Sequence, residues 1–301
     1  MNLHVPNAIV RLGARLVTGR ILDPRLPWAV QRRRLDRLVG SWLLPRGVSV
    51  TRSEMKGVPV EVVTSAQSRQ RTSQITVVHF HGGGYCVGSP AEARDWAAHL
   101  SVKTGCRLIL PEYRLAPEYP YPAAVDDAHT VVGAVLGDAS AGTVLVSGDS
   151  AGGGLALGTA LSAPGAAALA GCILISPWLD LTADWAALPE LARRDVVLSP
   201  DWLEACAEAY VPRSADRADP MISPVYANLA SLPPLLIQCG TDDLVAPDSE
   251  KLADRAAAVG VDVTSTRWPG LWHDFTLQPD ITTSASRALD QAAAFIARVS
   301  A

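Results

Sequence analysis

A serine lies in a G-x-S-x-G pattern that runs from Gly148 to Gly152, directly after the apolar segment TVLVSG at 143–148. Where a buried strand is followed by a sharp turn and a helix, this pattern forms a nucleophile elbow that raises the serine hydroxyl above the C-terminal edge of the sheet. The two glycines provide the small neighbours that a strained turn needs, and the helix N-terminus favours developing negative charge. The pattern predicts that Ser150 is the nucleophile of an acyl-transfer reaction; an ordinary glycine-rich turn is the structural alternative.

A second glycine-rich turn, HGGG from His81 to Gly84, follows the apolar segment ITVVHF at 75–80. Acyl transfer generates an oxyanion, which preorganised N–H donors must stabilise. Because glycine has no Cβ, its backbone can approach the substrate oxygen closely. We expect the amides of Gly83, Gly84 and Ala151 to form an oxyanion hole, and His81 to orient the loop.

Ser150 requires a general base, and the sequence contains six histidines. His273, in the segment WPGLWHDF, follows a strand-like run and a Pro-Gly turn, so it can reach a loop above the edge of the sheet. The chain order nucleophile, acid, base also places the base last in folds that use this elbow. We expect His273 to take the proton of Ser150. The histidines interpreted as surface or core residues are His4, His99 and His129.

The acid that orients the base is expected between the two, on a loop after a strand. The segment LLIQCGTDDLVAPD provides Asp242, Asp243 and Asp248. Asp242 and Asp243 are adjacent, so their positions alone do not separate them. The carboxylate that contacts the imidazole fixes its tautomer and stabilises imidazolium, and the other is expected to cap a turn or a helix.

Apolar runs alternate with alanine-rich segments along the chain, which predicts an α/β fold with a mostly parallel central sheet flanked by helices. The apolar runs lie at 58–63, 75–80, 107–110, 143–148, 172–176 and 235–239. Two regions, 1–45 and 183–220, look helical and lack a clear strand, so we expect them to form a helical cap. The remaining segments, 46–182 and 221–301, are the predicted catalytic domain.

Composition excludes some classes of protein. Of 301 residues, 49% are hydrophobic, and the formal net charge is -4, which argues against nucleic-acid binding. The first 50 residues contain nine Arg, no Lys and two Asp, a net charge of +7. This arm either contacts an anionic surface or membrane or forms amphipathic helices with solvated arginines. The second interpretation is favoured because Ile9, Leu12, Leu16 and Val17 have helical spacing.

The five cysteines are scattered and contain no CxxC pair, which disfavours a disulfide framework or a zinc site and favours a reducing cytoplasm. Arginines interrupt every candidate secretory signal. The longest uncharged run, Ser150 to Leu179, contains many glycines and is interpreted as a buried helix, a loop and a buried strand. We therefore expect no stable membrane insertion.

Four segments together resemble the hormone-sensitive-lipase-like branch of the α/β-hydrolases. They are HGGG, YRLAPEYPYPAAVDD at 113–127, GDSAGG and SPWLDLT at 176–182. The resemblance implies a helical cap and a serine carboxylesterase that acts on short- to medium-chain acyl esters without a cofactor or a metal. In the family's register from Leu232 to Phe275, the catalytic acid falls on Asp243 rather than Asp242.

The chain departs from the family at two positions. Val245 stands where the family usually has Leu, which keeps Asp242 as an alternative acid. Asp274 replaces the Gly that usually follows the histidine, and a second carboxylate beside His273 is expected to raise the pKa of the imidazole.

The substrate pocket and the class of function leave alternatives open. Four tryptophans are expected either to line an acyl or alcohol pocket or to pack in the core: Trp178, Trp185, Trp202 and Trp272. An amidase or formamidase would use the same triad, and a ligand-binding homologue without catalysis is a third alternative. The expected partner is a small-molecule ester, and the oligomeric state is open, with a homodimer among the alternatives.

Overall fold

The computed structural model of the chain describes residues 4–39, 44–71 and 74–301. Parts of the predicted N-terminal helical region, 1–3 and 40–43, lie outside the described residues. The described residues form one eight-stranded sheet with helices on both faces. The prediction of an α/β fold with a mostly parallel sheet is confirmed.

The strands follow the order β1-β2-β4-β3-β5-β6-β7-β8 across the sheet. They are β1 (Ser49–Met55), β2 (Val58–Thr64), β3 (Ile75–Phe80), β4 (Arg107–Pro111), β5 (Thr143–Asp149), β6 (Gly171–Ile175), β7 (Leu235–Gly240) and β8 (Val263–Trp268). β2 runs antiparallel to both β1 and β4, and the other neighbouring pairs are parallel. β3, β5, β6 and β7 are buried almost throughout because helices cover both faces of the sheet. The carboxyl ends of these strands therefore meet at one edge.

The described residues contain ten α-helices, and five of them cover the two faces of the sheet. The ten helices are α1 (Asn7–Ile21), α2 (Trp28–Val39), α3 (Ala66–Gln70), α4 (Pro90–Thr104), α5 (Ala123–Leu136), α6 (Ser150–Ser162), α7 (Pro189–Arg194), α8 (Pro200–Tyr210), α9 (Ala246–Ala258) and α10 (Thr283–Val299). The five that cover the sheet are α4, α5, α6, α9 and α10. α4 and α10 enclose one core with residues such as Trp96 and Phe295. α5, α6 and α9 enclose the larger core with residues such as Val131, Leu155 and Leu252.

The edge strand β1 is not among the apolar runs that predicted the sheet. Its sequence, SVTRSEM, is polar and mostly exposed, because β1 has a neighbour on one side only and β2 supplies its partner groups. An edge strand with one solvated face lacks the apolar run of a buried strand.

Two helical regions lie outside the sheet-and-helix core. α1 and α2 precede β1, and α7 and α8 lie between β6 and β7. In the first region, three of the four apolar residues whose spacing predicted a helix lie at the surface of α1. Ile9, Leu12 and Leu16 are 61%, 61% and 54% exposed. In the part of the chain that the structure describes, no helix is both long and apolar enough to cross a bilayer.

Candidate active site

Ser150 begins α6 immediately after β5 ends at Asp149. Its φ is +52°, in the left-handed region that is rare for a residue with a side chain. The flanking glycines explain how this turn packs. A Cβ on Gly148 would collide with the carbonyl oxygen of Gly152, and a Cβ on Gly152 would collide with the carbonyl oxygen of Phe80. The strained serine therefore depends on both glycines of the pattern.

The HGGG loop has positive φ at two glycines, +104° at Gly83 and +60° at Gly84. A Cβ on Gly83 would collide with the carbonyl oxygen of Val87, and one on Gly84 would lie 2.6 Å from the Cys206 Sγ atom. These glycines are thus required by contacts with the protein itself. Among the described residues, the amides of Gly83, Gly84 and Ala151 have no acceptor.

His81 lies beneath this loop and is buried. Its Nδ1 atom lies 2.8 Å from the Gly82 carbonyl oxygen, and its ring stacks on Tyr113 with 4.3 Å between centroids. The Tyr113 hydroxyl donates to the His81 carbonyl oxygen at 2.8 Å. Burial lowers the pKa of His81 to about 4, so the ring is neutral at pH 7 and Nδ1–H donates to Gly82.

His273 and Asp243 contact each other although 30 positions separate them in the chain. The His273 Nδ1 atom lies 3.0 Å from Asp243 Oδ1, and both residues are buried. The same Oδ1 atom accepts the Val245 amide at 3.0 Å. Asp243 follows β7 and His273 follows β8, so adjacent parallel strands bring the two loops together.

The other two acids of the β7 loop have different partners. Asp242 accepts a hydrogen bond from Arg11 of α1 at 2.7 Å, so the expectation that it caps a turn or a helix is wrong. Asp248 accepts the amides of Leu179 and Asp180 at 2.7 and 2.9 Å. Burial raises the pKa of Asp248 to about 7.

Asp274 lies on the opposite side of the imidazole ring from Asp243. Its Oδ2 atom is 3.1 Å from His273 Nε2, and its own φ is +55°. The Asp274 amide donates to Ser176 Oγ at 3.1 Å, which holds this turn against the end of β6. Burial disfavours imidazolium, but the charges of Asp243 and Asp274 outweigh it and raise the pKa of His273 well above its usual range.

A cavity of about 280 Å³ opens above these residues. Ser150, His273, Asp274 and Gly83 form part of its wall. Aliphatic side chains of the N-terminal helices supply much of the remainder: Val10, Ala14, Val17, Ile21, Leu35, Leu38 and Val39.

The four tryptophans divide between the cavity and the core. Trp202 and Trp272 line the cavity. Trp178 and Trp185 pack against each other, with 5.6 Å between ring centroids, and belong to the larger hydrophobic core.

Two residues that the sequence analysis did not single out support the site. Asp195, in the inserted segment 183–220, accepts the Leu244 amide at 2.8 Å, beside Asp243. Burial and the Asp243 charge raise the pKa of Asp195 to about 6. Arg11 also donates to the Gly270 carbonyl oxygen at 2.9 Å and to that of Arg194. Neither has a sequence signal, since isolated acids and arginines in helical segments are usually solvated.

Within the described ranges, no three His, Cys, Asp or Glu side chains form a group that could hold a metal ion.

Known proteins share this arrangement of strands and turns. A family model described as the alpha/beta hydrolase fold matches residues 77–277. The crystal structure of a hormone-sensitive lipase from a metagenome library is 32% identical to this chain in sequence and has a TM-score of 0.87. The match covers 99% of each of the two chains. The chain belongs to the hormone-sensitive-lipase-like branch of the α/β-hydrolase fold.

Curated relatives of this α/β-hydrolase carry ester-hydrolase names. A Mycobacterium tuberculosis protein, provisionally named as the acetyl-hydrolase LipR, is 36% identical over 96% of this chain and 92% of its own length. An esterase from Acinetobacter venetianus is 32% identical over 75% of this chain and 76% of its own. This α/β-hydrolase is therefore a carboxylic ester hydrolase.

Proposed function

We propose that the protein is a serine carboxylesterase that hydrolyses short- to medium-chain acyl esters through Ser150, His273 and Asp243. The observation that carries the proposal is the 3.0 Å contact between His273 Nδ1 and Asp243 Oδ1, in a site where His273 and Ser150 line one cavity. This contact keeps a proton on Nδ1 and assigns the role of base to Nε2, which Asp274 Oδ2 also contacts at 3.1 Å.

In the first half of the reaction, Ser150 Oγ attacks the ester carbonyl carbon while its proton passes to His273 Nε2. The amides of Gly83, Gly84 and Ala151 stabilise the oxyanion that forms. The tetrahedral intermediate then expels the alcohol, which leaves with the proton held on Nε2, and the acyl group stays on Ser150.

In the second half, a water molecule attacks the acyl-enzyme and gives its proton to Nε2. The carboxylic acid departs as Ser150 Oγ recovers that proton. Throughout, Asp243 keeps Nδ1 protonated and stabilises the transient imidazolium. His81, neutral and stacked on Tyr113, holds the HGGG loop in position.

The size and lining of the cavity support short or medium acyl chains. At about 280 Å³ it lies near the lower end of the roughly 300–1,000 Å³ range of small-molecule sites. Its walls are largely aliphatic, which suits an uncharged acyl chain. The acetyl-hydrolase name of the Mycobacterium tuberculosis relative agrees with a small acyl group.

We also propose that α1 and α2, with the inserted segment 183–220, form a cap over the catalytic domain. Val17 of α1, Leu35 of α2 and Leu198 of the insertion line the same cavity as Ser150, which supports this division.

A panel of p-nitrophenyl esters from acetyl to palmitoyl tests the proposal, with p-nitroanilides of the same acids to detect amidase activity. We expect kcat/KM to be highest for short or medium esters and to be low for the anilides. Ser150→Ala should abolish turnover while the thermal unfolding transition persists. An organophosphate should label Ser150 and no other residue by mass spectrometry; labelling elsewhere contradicts the assignment.

A further inference from the structure

The solvent-facing side of α1 carries an exposed apolar stripe: Ile9, Leu12 and Leu16 are each more than half exposed. Spacings of three and four residues place these side chains on one face of the helix. Val10 and Val17 project from a different side of the helix and line the cavity. The stripe is therefore not used by the hydrophobic core of this protein.

Positive charge borders the stripe. At about 100° per residue, Arg15 and Arg20 fall on either side of it. Both are exposed, and within the described ranges neither has a carboxylate partner, whereas Arg11 pairs with Asp242. On α2, the exposed Arg34 donates to the Arg20 carbonyl oxygen, which places a further cation beside the end of α1. The face is thus apolar at its centre and basic at its margins.

We propose that this face of α1 binds the surface of an anionic lipid bilayer, with the helix lying in the plane of the interface. A helix with an apolar stripe between basic residues has the composition of an interfacial helix. The 15 residues of α1 span about 22 Å, less than the hydrocarbon thickness of about 30 Å, so the helix lies on the membrane. The other face of α1 lines the cavity, so a docked molecule holds its cavity beside the bilayer.

The arginines favour a bilayer over a second copy of the chain. Two-fold pairing through α1 would bring the same face of both copies together and gather the arginines of both copies, Arg15 and Arg20, around one interface. Like charges in an interface are costly, whereas anionic headgroups attract each arginine.

Sedimentation of the full-length chain with lipid vesicles tests the proposal. We expect binding to vesicles of phosphatidylglycerol and phosphatidylcholine in equal amounts, weakened by salt, and at least tenfold weaker binding to phosphatidylcholine alone. The triple variant Ile9→Ser, Leu12→Ser, Leu16→Ser should lose more than tenfold in partitioning. Arg15→Gln with Arg20→Gln should lose about fivefold for each arginine, and only on anionic vesicles.

Matched substitutions elsewhere serve as controls. Val259→Ser removes an exposed apolar side chain from the end of α9, and Arg52→Gln removes an exposed charge from β1; both should partition like the wild type. All variants should hydrolyse a water-soluble ester at the wild-type rate. The proposal is overturned if the wild type does not bind anionic vesicles or binds both types of vesicle equally. It is also overturned if sedimentation equilibrium shows a dimer that the Ser variant dissociates, without vesicle binding.

Discussion

Asp274 Oδ2 lies 3.1 Å from His273 Nε2, while Asp243 Oδ1 lies 3.0 Å from His273 Nδ1, so carboxylates contact both nitrogens of one buried imidazole. The Asp274 contact involves Nε2, the nitrogen that must take the proton of Ser150. Asp274, which stands where the family usually has Gly, therefore places a second carboxylate directly against the catalytic base.

The first prediction concerns pH. His273 acts as a base only when neutral, so activity is lost as the pH falls through its raised pKa. Asp274→Asn removes one of the charges that stabilise imidazolium, which lowers the pKa of His273. We expect the acid limb of the kcat/KM profile to move to lower pH while the fold is retained.

Asp254→Asn, an exposed acid on α9, is the matched control and should leave the profile unchanged. An Asp274→Asn profile that superposes on the wild type would show that the carboxylate does not act on the base.

The second prediction separates the adjacent acids. Asp243→Asn should preserve the fold but reduce kcat by up to about 10⁴-fold, the size of the loss when the base is held in the wrong tautomer. Asp242→Asn should leave kcat within a few-fold of the wild type, because Asp242 contacts Arg11 instead of the imidazole. Steady-state kinetics of both variants decide the matter, and a reversed order of the two losses refutes the assignment of Asp243.

The third prediction concerns the HGGG loop. Gly83→Ala forces a Cβ into the carbonyl oxygen of Val87 and should displace the loop. Loss of one oxyanion donor costs about 2.7–4 kcal/mol, so kcat should fall by roughly 10²-fold or more, and organophosphate labelling of Ser150 should slow.

Gly260→Ala isolates the cost of positive φ, because Gly260 has φ +83° and open space around its Cβ position. It should lower stability slightly and leave kcat unchanged. If Gly83→Ala folds, labels and turns over like Gly260→Ala, the loop amides do not stabilise the oxyanion.

The fourth prediction concerns stability. Burial raises the pKa of Asp248 from 3.8 to about 7 in the folded protein. The contribution of Asp248 to the free energy of unfolding is therefore fully present below its pKa in the unfolded chain, and it is lost as the pH rises through its pKa in the folded protein. Asn can accept the same two amides without ionising. Asp248→Asn should therefore raise the free energy of unfolding at pH 8, by on the order of 1–4 kcal/mol, relative to the wild type.

The gain should shrink as the pH is lowered towards 5, where Asp248 is protonated. Asp126→Asn, an exposed substitution on α5, should show no such pH dependence in urea titrations. A uniform effect of Asp248→Asn at both pH values would show that the carboxylate does not titrate in this range.

Much of the fold could be predicted because buried parallel strands are apolar along their whole length. The run ITVVHF coincides with β3 and LLIQC lies within β7. β1 could not be found this way, since its polar sequence is stabilised by pairing with β2 rather than by burial.

The sequence by itself determined that glycine-rich turns follow β3 and β5, because glycine is the residue that a chain uses where the backbone has positive φ or approaches another segment closely. Only the tertiary structure decided how distant segments meet. It brought Asp243 to His273 and turned Asp242 outward to Arg11, a choice that depends on where α1 packs. It also exposed Ile9, Leu12 and Leu16 although their spacing is that of a buried stripe. Periodicity defines the faces of a helix, but the neighbours that a face meets come from the packing of the whole chain.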